Sequence, residues 1–127
     1  MKAAMETMPF RARGAVDLDQ LEKSARRAAT LLKSMANARR LKILCQLAEG
    51  EKSVGELTEV VGLSQSALSQ HLMVLRRDGI VTTRRVAQSV FYSLVSREAQ
   101  AVMVVLYDVF CSGAGRTRLP QPRAKAR

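Results

Sequence analysis

The stretch from Ser53 to Gly79 constrains this chain more than any other. Ser53-Val54-Gly55-Glu56 has the form of a capping box. The Ser53 hydroxyl can accept the amide proton three residues on, while Glu56 reaches back to the Ser53 amide. A short helix should run from there to Val61. Gly62 supplies the positive φ that ends it, and Leu63 should tuck under the turn. Ser64 then caps a second helix, Gln65 to about Arg77, with Arg76 and Arg77 in its last turn and Gly79 closing it. Two short helices joined by a tight glycine-containing turn make a helix-turn-helix.

The flanks complete the architecture. Asp17 with Gln20 resembles another capping box, and Leu18, Leu21, Ala25, Ala28, Leu32 and Met35 then recur at helical spacing. Asn37 should cap the next helix, with Leu41, Leu44, Cys45 and Leu47 as its buried stripe and Gly50 after its end. From Ile80 the pattern turns extended. Ile80–Arg85 and Ser89–Leu94 are β-rich runs, and Val86-Ala87-Gln88 should join them as a hairpin. Ser96 caps a last helix, reaching about Ser112. Residues 1–14 and 113–127 read as a flexible basic arm and tail around one domain, 15–112. Four helices, a hairpin and a fifth helix give a mostly α, winged helix-turn-helix fold.

Such a unit puts its second helix into the DNA major groove, led by the N-terminal residues. Leu68, Leu72 and Leu75 share one face and must pack inward. The other side of the helix carries Gln65, Ser66, Ser69, Gln70 and Met73, and His71 is counted with this reading face. Gln can pair with adenine in bidentate fashion, and Ser can serve several base edges or a phosphate. Arg84, Arg85 and Gln88 fall on or near the wing tip, where Arg can follow a phosphate backbone or enter the minor groove. The same arginines also discourage edge-to-edge strand pairing. Arg39 and Arg40 begin the second helix against its dipole, which fits either a phosphate contact or plain solvent exposure.

Charge agrees with an anionic partner. The net charge is +10 over 127 residues. Most of the excess lies in the arm and in the tail, where Arg116, Arg118, Arg123, Lys125 and Arg127 face no acid. Basic tails bind phosphate without reading sequence, or simply aid solubility. No segment is apolar enough to span a membrane and no signal peptide is evident, so a cytoplasmic protein is expected. The run Ala101–Phe110 holds one charged residue, Asp108, and is apolar nearly all round. It should be covered on two sides, most simply by its own core and by a second subunit, with the first helix as its neighbour. A homodimer would set two reading heads about one DNA turn apart over a near-palindromic operator.

Leu31–Cys45, Ser53–Leu57, Leu63–Leu72, Arg76-Arg77-Asp78-Gly79 and Val90–Leu94 together resemble the ArsR/SmtB family of repressors, over roughly residues 17–112. The resemblance implies a homodimeric bacterial transcription factor, usually a repressor released by an inducer. Metal-sensing members carry Cys pairs near the third helix or His and Asp clusters on the last. Here the first place reads Glu51-Lys52-Ser53-Val54-Gly55, the last helix has no His, and the chain's one histidine is His71. No metal site is expected, since zinc takes about four His, Cys or carboxylate ligands. The two cysteines, Cys45 and Cys111, are placed like those of the branch containing BigR, SqrR and HlyU. That likeness implies that the pair senses reactive sulfur species or oxidants, becomes bridged by a disulfide or polysulfide, and weakens DNA binding. Read from the residues alone, Cys45 fits better as a small apolar filler, and it is the resemblance that turns the reading toward a sensor. Cys111 falls at a helix C-terminus, where the dipole disfavours a thiolate.

Other readings are a metal-responsive or inducer-independent regulator with structural cysteines, an architectural DNA binder driven by the tails, and a protein-binding module such as an anti-repressor. An enzyme is not expected. There is no Cys-x-x-Cys, no base with an oxyanion site and no cofactor motif, so no cofactor is implied.

Overall fold

The computed structural model describes residues 17–111. Helix α1 (Leu18–Met35) leads into α2 (Ala38–Ala48), the short strand β1 (Lys52–Ser53), α3 (Val54–Val61) and α4 (Gln65–Arg77). The wing strands β2 (Val81–Val86) and β3 (Ser89–Leu94) follow, then α5 (Arg97–Leu106), which passes into a π-helical turn, Tyr107–Cys111. This is a winged helix-turn-helix in the expected order of helices and hairpin.

The caps explain most boundaries. The Asn37 side chain accepts from the amides of Arg39 and Arg40 at 2.9 and 3.1 Å. Ser53 and Glu56 form the reciprocal box, at 3.1 and 2.8 Å. Ser64 and Ser96 each accept from the amide three residues on. Gly62 ends α3 at φ +78°, and its amide donates to the Thr58 carbonyl. Helix α4 ends at Asp78 with paired bonds, Gly79 to Arg76 and Ile80 to Leu75, around Gly79 at φ +74°. That pairing is a Schellman motif.

Three local features depart from the expectations. Asp17 precedes α1 but its side chain makes no capping bond, so the helix begins without the predicted box. Strand β1 is too short to leave a periodic signal. It exists because Lys52 and Ser53 pair with Tyr92 and Phe91 of β3, giving a three-stranded antiparallel sheet in the order β1-β3-β2. Val86 belongs to the ladder opposite Ser89, so the wing turn is only Ala87-Gln88. Ala87 takes φ +57°, the one non-glycine in the left-handed region among the described residues.

The core lies beneath the helix-turn-helix. Ile43, Leu44 and Leu47 of α2 meet Leu57 and Val61 of α3, Leu68, Leu72 and Leu75 of α4, Ile80 and Val81 at the wing base, and Ala99 and Met103 of α5. In α2, Ile43 takes a buried place beside Leu44 and Leu47, while Leu41 and Cys45 are only half-buried against the cluster. From α1 only Ser34 and Met35 are buried. Leu18, Leu21 and Leu32 stay exposed, as do Val104, Val105, Tyr107, Val109 and Phe110 at the other end of the chain. The amides of Val95 and Ser96 both donate to the Ile80 carbonyl, at 3.0 and 3.2 Å, which joins the start of α5 to the end of α4.

Candidate nucleic-acid interface

The geometry of α4 follows from its three leucines. Leu68, Leu72 and Leu75 are essentially fully buried and fix the helix's rotation. Rotation by about 100° per residue then turns Gln65, Ser66, Ser69, Gln70 and Met73 outward. All five are exposed, Met73 to 65%. The side chains at the N-terminal end can therefore reach base edges, and the amides of the first turn point out of that same end of the helix. The Ser64 hydroxyl satisfies that of Ala67, at 3.1 Å.

His71 sits differently from the residues it was grouped with. It lies on the flank of α4 between the exposed face and the core and is half-buried. Its Nδ1 is 3.2 Å from Arg40 Nη1 of α2. Burial first, then the charges of Arg40 and Arg39, holds the imidazole below its ordinary pKa.

The wing arginines also part company. Arg85 and Gln88 are exposed near the tip. Arg84 makes a two-armed pair with Glu51, Nε to Oε2 and Nη2 to Oε1, each 2.8 Å, and its guanidinium lies 5.2 Å from the Phe91 ring centroid. The Glu51 carboxyl is held below its usual pKa chiefly by the Arg84 hydrogen bond. Arg84 therefore braces the wing against the α2–β1 connection. A phosphate drawing on Nε or Nη2 of Arg84 would compete with Glu51.

Sequence reading missed a polar cluster beneath α4. Arg40 Nε donates to the Ser34 carbonyl at 2.6 Å. The Ser34 hydroxyl donates to the Asp78 carboxylate, which also pairs with Arg77 at 3.2 Å. Hydrogen bonds from Arg77 and Ser34 hold the Asp78 carboxyl below its usual pKa. One signal was available. An acid at a helix C-terminus opposes the dipole, so Asp78 needed compensating partners.

The two cysteines are free thiols in different settings. Cys45 is half-buried on α2 against the core, and Cys111 is exposed at the end of the π-helical turn. Burial pushes the Cys45 thiol pKa up, and the charges of Cys111 and Glu49 add to the shift. Arg116 and Arg118 lie outside the described residues. Among the described residues no three His, Cys, Asp or Glu side chains gather as a metal site, and no helix is long and apolar enough to cross a membrane.

Comparison with known proteins identifies the fold's lineage. Residues 37–83 match the model of the arsR family of bacterial regulatory proteins. The chain is 52% identical over 104 residues to the transcriptional activator HlyU of Vibrio cholerae, spanning 82% of this chain and 96% of that one. It is 45% identical over 94 residues to the biofilm growth-associated repressor of Xylella fastidiosa, spanning 74% and 82%. The solved structure of reduced HlyU from Vibrio cholerae superposes with a TM-score of 0.69 at 56% identity, covering 72% of this chain and 96% of that one. With its reading head inside the family model and nearly the whole of a regulator matched, this chain belongs to the arsR family of bacterial regulatory proteins, as a DNA-binding transcriptional regulator.

Proposed function

We propose that the chain binds a near-palindromic DNA operator as a homodimer, acts as a repressor, and releases the operator when Cys45 and Cys111 become bridged. The exposed Gln65, Ser66, Ser69 and Gln70 on a rigidly seated α4 carry this reading. Arg85 and Gln88 at the wing supply the second contact. The exposed apolar residues of α1 and of α5 with its π-helical turn supply the dimer surface.

The switch follows from the unequal thiols. An oxidant meets exposed Cys111 first. Half-buried Cys45 then closes the bridge. Both thiols lose their protons and two electrons pass to the oxidant: a peroxide leaves as water and gives an S–S bond, whereas a polysulfide leaves as sulfide or a shorter polysulfide and gives an S–S bond or, by handing over sulfur atoms, a short sulfur chain. The bridge would tie the end of the π-helical turn to α2 and alter the dimer surface. A related regulator has been solved in a form described as reduced, which fits a redox-responsive branch.

The test is operator binding by duplexes selected in vitro from a random pool. Replacing Gln65, Ser69 and Gln70 together by Ala should abolish sequence preference and leave weak, salt-sensitive binding. Polysulfide treatment should release wild type but neither Cys45→Ser nor Cys111→Ser. Release that persists in both cysteine variants overturns the switch and leaves the DNA reading standing.

A further inference from the structure

Arg40 joins three helices. It stands in the first turn of α2, holds the Ser34 carbonyl at the end of α1 through Nε, and places Nη1 3.2 Å from Nδ1 of His71 on α4. Ser34 is 3% exposed and turns its hydroxyl to Asp78, the C-cap of α4. The recognition helix is therefore gripped at two points, on its flank through His71 and at its C-cap through Asp78.

A guanidinium only donates, so Nδ1 of His71 must accept. The neutral ring then carries its proton on Nε2. No partner for Nε2 is found among the described residues. Protonating Nδ1 would set an N–H against a cation. Arg40 and Arg39 of α2 are the charges that act on the ring, and both oppose its protonation. Lys33, Arg77 and Asp78 line the same hollow as Arg40, and Asp78 there is engaged by Ser34 and Arg77. The unspent Nε2–H thus belongs to the flank of a reading helix, beside a basic helix start. Its fitting partner is an anionic oxygen of the DNA backbone.

We infer that Arg40 is a positioning residue for DNA binding, seating α4 against α1 and α2 and presenting His71 as a neutral Nε2–H donor to a DNA phosphate. This rests on the DNA reading above and adds to it a residue outside the recognition helix. A lysine could supply the charge but not the fork that spans Ser34 and His71 together.

His71 is the only histidine, so nitrogen NMR of the full chain reports its ring without ambiguity. Wild type free of DNA should show the Nε2–H tautomer and titrate below about 6.5. In Arg40→Gln the tautomers should mix and the titration should rise. On a duplex selected in vitro by wild type, Arg40→Gln should bind about tenfold more weakly at high pH. It should recover as pH falls through the raised pKa, when the imidazolium charge substitutes for the lost alignment. Adding His71→Asn should remove that recovery, and Arg40→Lys should reproduce the tautomer mixing with the fold intact. An Nδ1–H tautomer in wild type overturns the inference, as does wild-type affinity in both Arg40→Gln and His71→Asn. Failure of wild type to select any duplex would instead overturn the DNA reading, whereas full selection with insensitive variants overturns Arg40's role alone.

Discussion

The centre of the molecule and its two end helices are built to different standards. Helices α2, α3 and α4 and the wing base enclose a dry cluster in which Ile43, Leu44, Leu57, Leu68 and Leu75 have no exposed surface. Helix α1 contributes only its last turn, and α5 buries little beyond Ala99 and Met103. Yet the end helices carry large apolar side chains in the open, with Leu18 at 78% and Phe110 at 76% exposed. Water would not be left on such a surface in a finished assembly. One chain completes the reading head, and the proposed second copy would complete the ends.

The largest expected effect lies in the centre. Leu68→Ala or Leu72→Ala should cost about 2–5 kcal/mol in denaturant unfolding, because each leaves a cavity in a packed cluster. Leu18→Ala should cost far less at protein concentrations where the chain is monomeric. Equal losses at the two sites would break the contrast.

Next in size, Phe110→Asp should weaken self-association by about 2 kcal/mol per protomer, the value of one large apolar side chain kept from water. Sedimentation across a concentration series would measure it. The amide spectrum of α2–α4 should stay native in the dissociated protein. Loss of the head along with the dimer would show that the two regions are not separable.

Acid should act on the seam between the regions. Asp78 has a folded pKa below its ordinary value, so its stabilising contribution is complete above about pH 4 and is lost as pH falls from there. His71 is likewise depressed. Its contribution is complete above about pH 6.5 and declines as pH drops toward its folded value. Stability should therefore fall in two steps on acidification. His71→Gln should remove the upper step, and Asp78→Asn should shrink the lower one, to which Glu51 and Glu98 also contribute, each read from denaturation midpoints against pH.

How much of this was legible depended on distance along the chain. Asn37, Ser53, Ser64, Ser96, Gly62 and Gly79 act on neighbours within a few residues, and the order of elements could be read from them. The exposed face of α4 was equally legible, because three leucines fix a helix's rotation. What was hidden depends on partners far away in sequence. Glu51 meets Arg84 across 33 positions, and Ser34 meets Asp78 across 44. Arg84 therefore looked free for DNA, and His71 looked like one more member of the reading face. Strand β1 was hidden too, since it exists only by pairing with β3.

The smallest effect tests the wing, which belongs to neither region. Ala87 holds φ +57° in a two-residue turn of the kind that favours glycine. Ala87→Gly should stabilise the chain by up to about 1 kcal/mol, relief of strain being partly offset by the entropy of an unfolded glycine. A loss of stability in thermal unfolding would mean that the turn sits comfortably with alanine.

The carbonyl of Ile80 accepts from two successive amides, those of Val95 and Ser96. Helix α5 springs from that point as a rod about 15 Å long, at 1.5 Å per residue. A rod pinned at one end is a lever. Under the proposed switch, one sulfur–sulfur bond's worth of pull at its far end would become a small tilt at the pin, delivered where the recognition helix ends. In the proposed dimer, two reading heads held on two such levers would need only slight changes of angle to lose their common spacing, so a chemically minor event at the tip would be geared to an all-or-none fit on DNA.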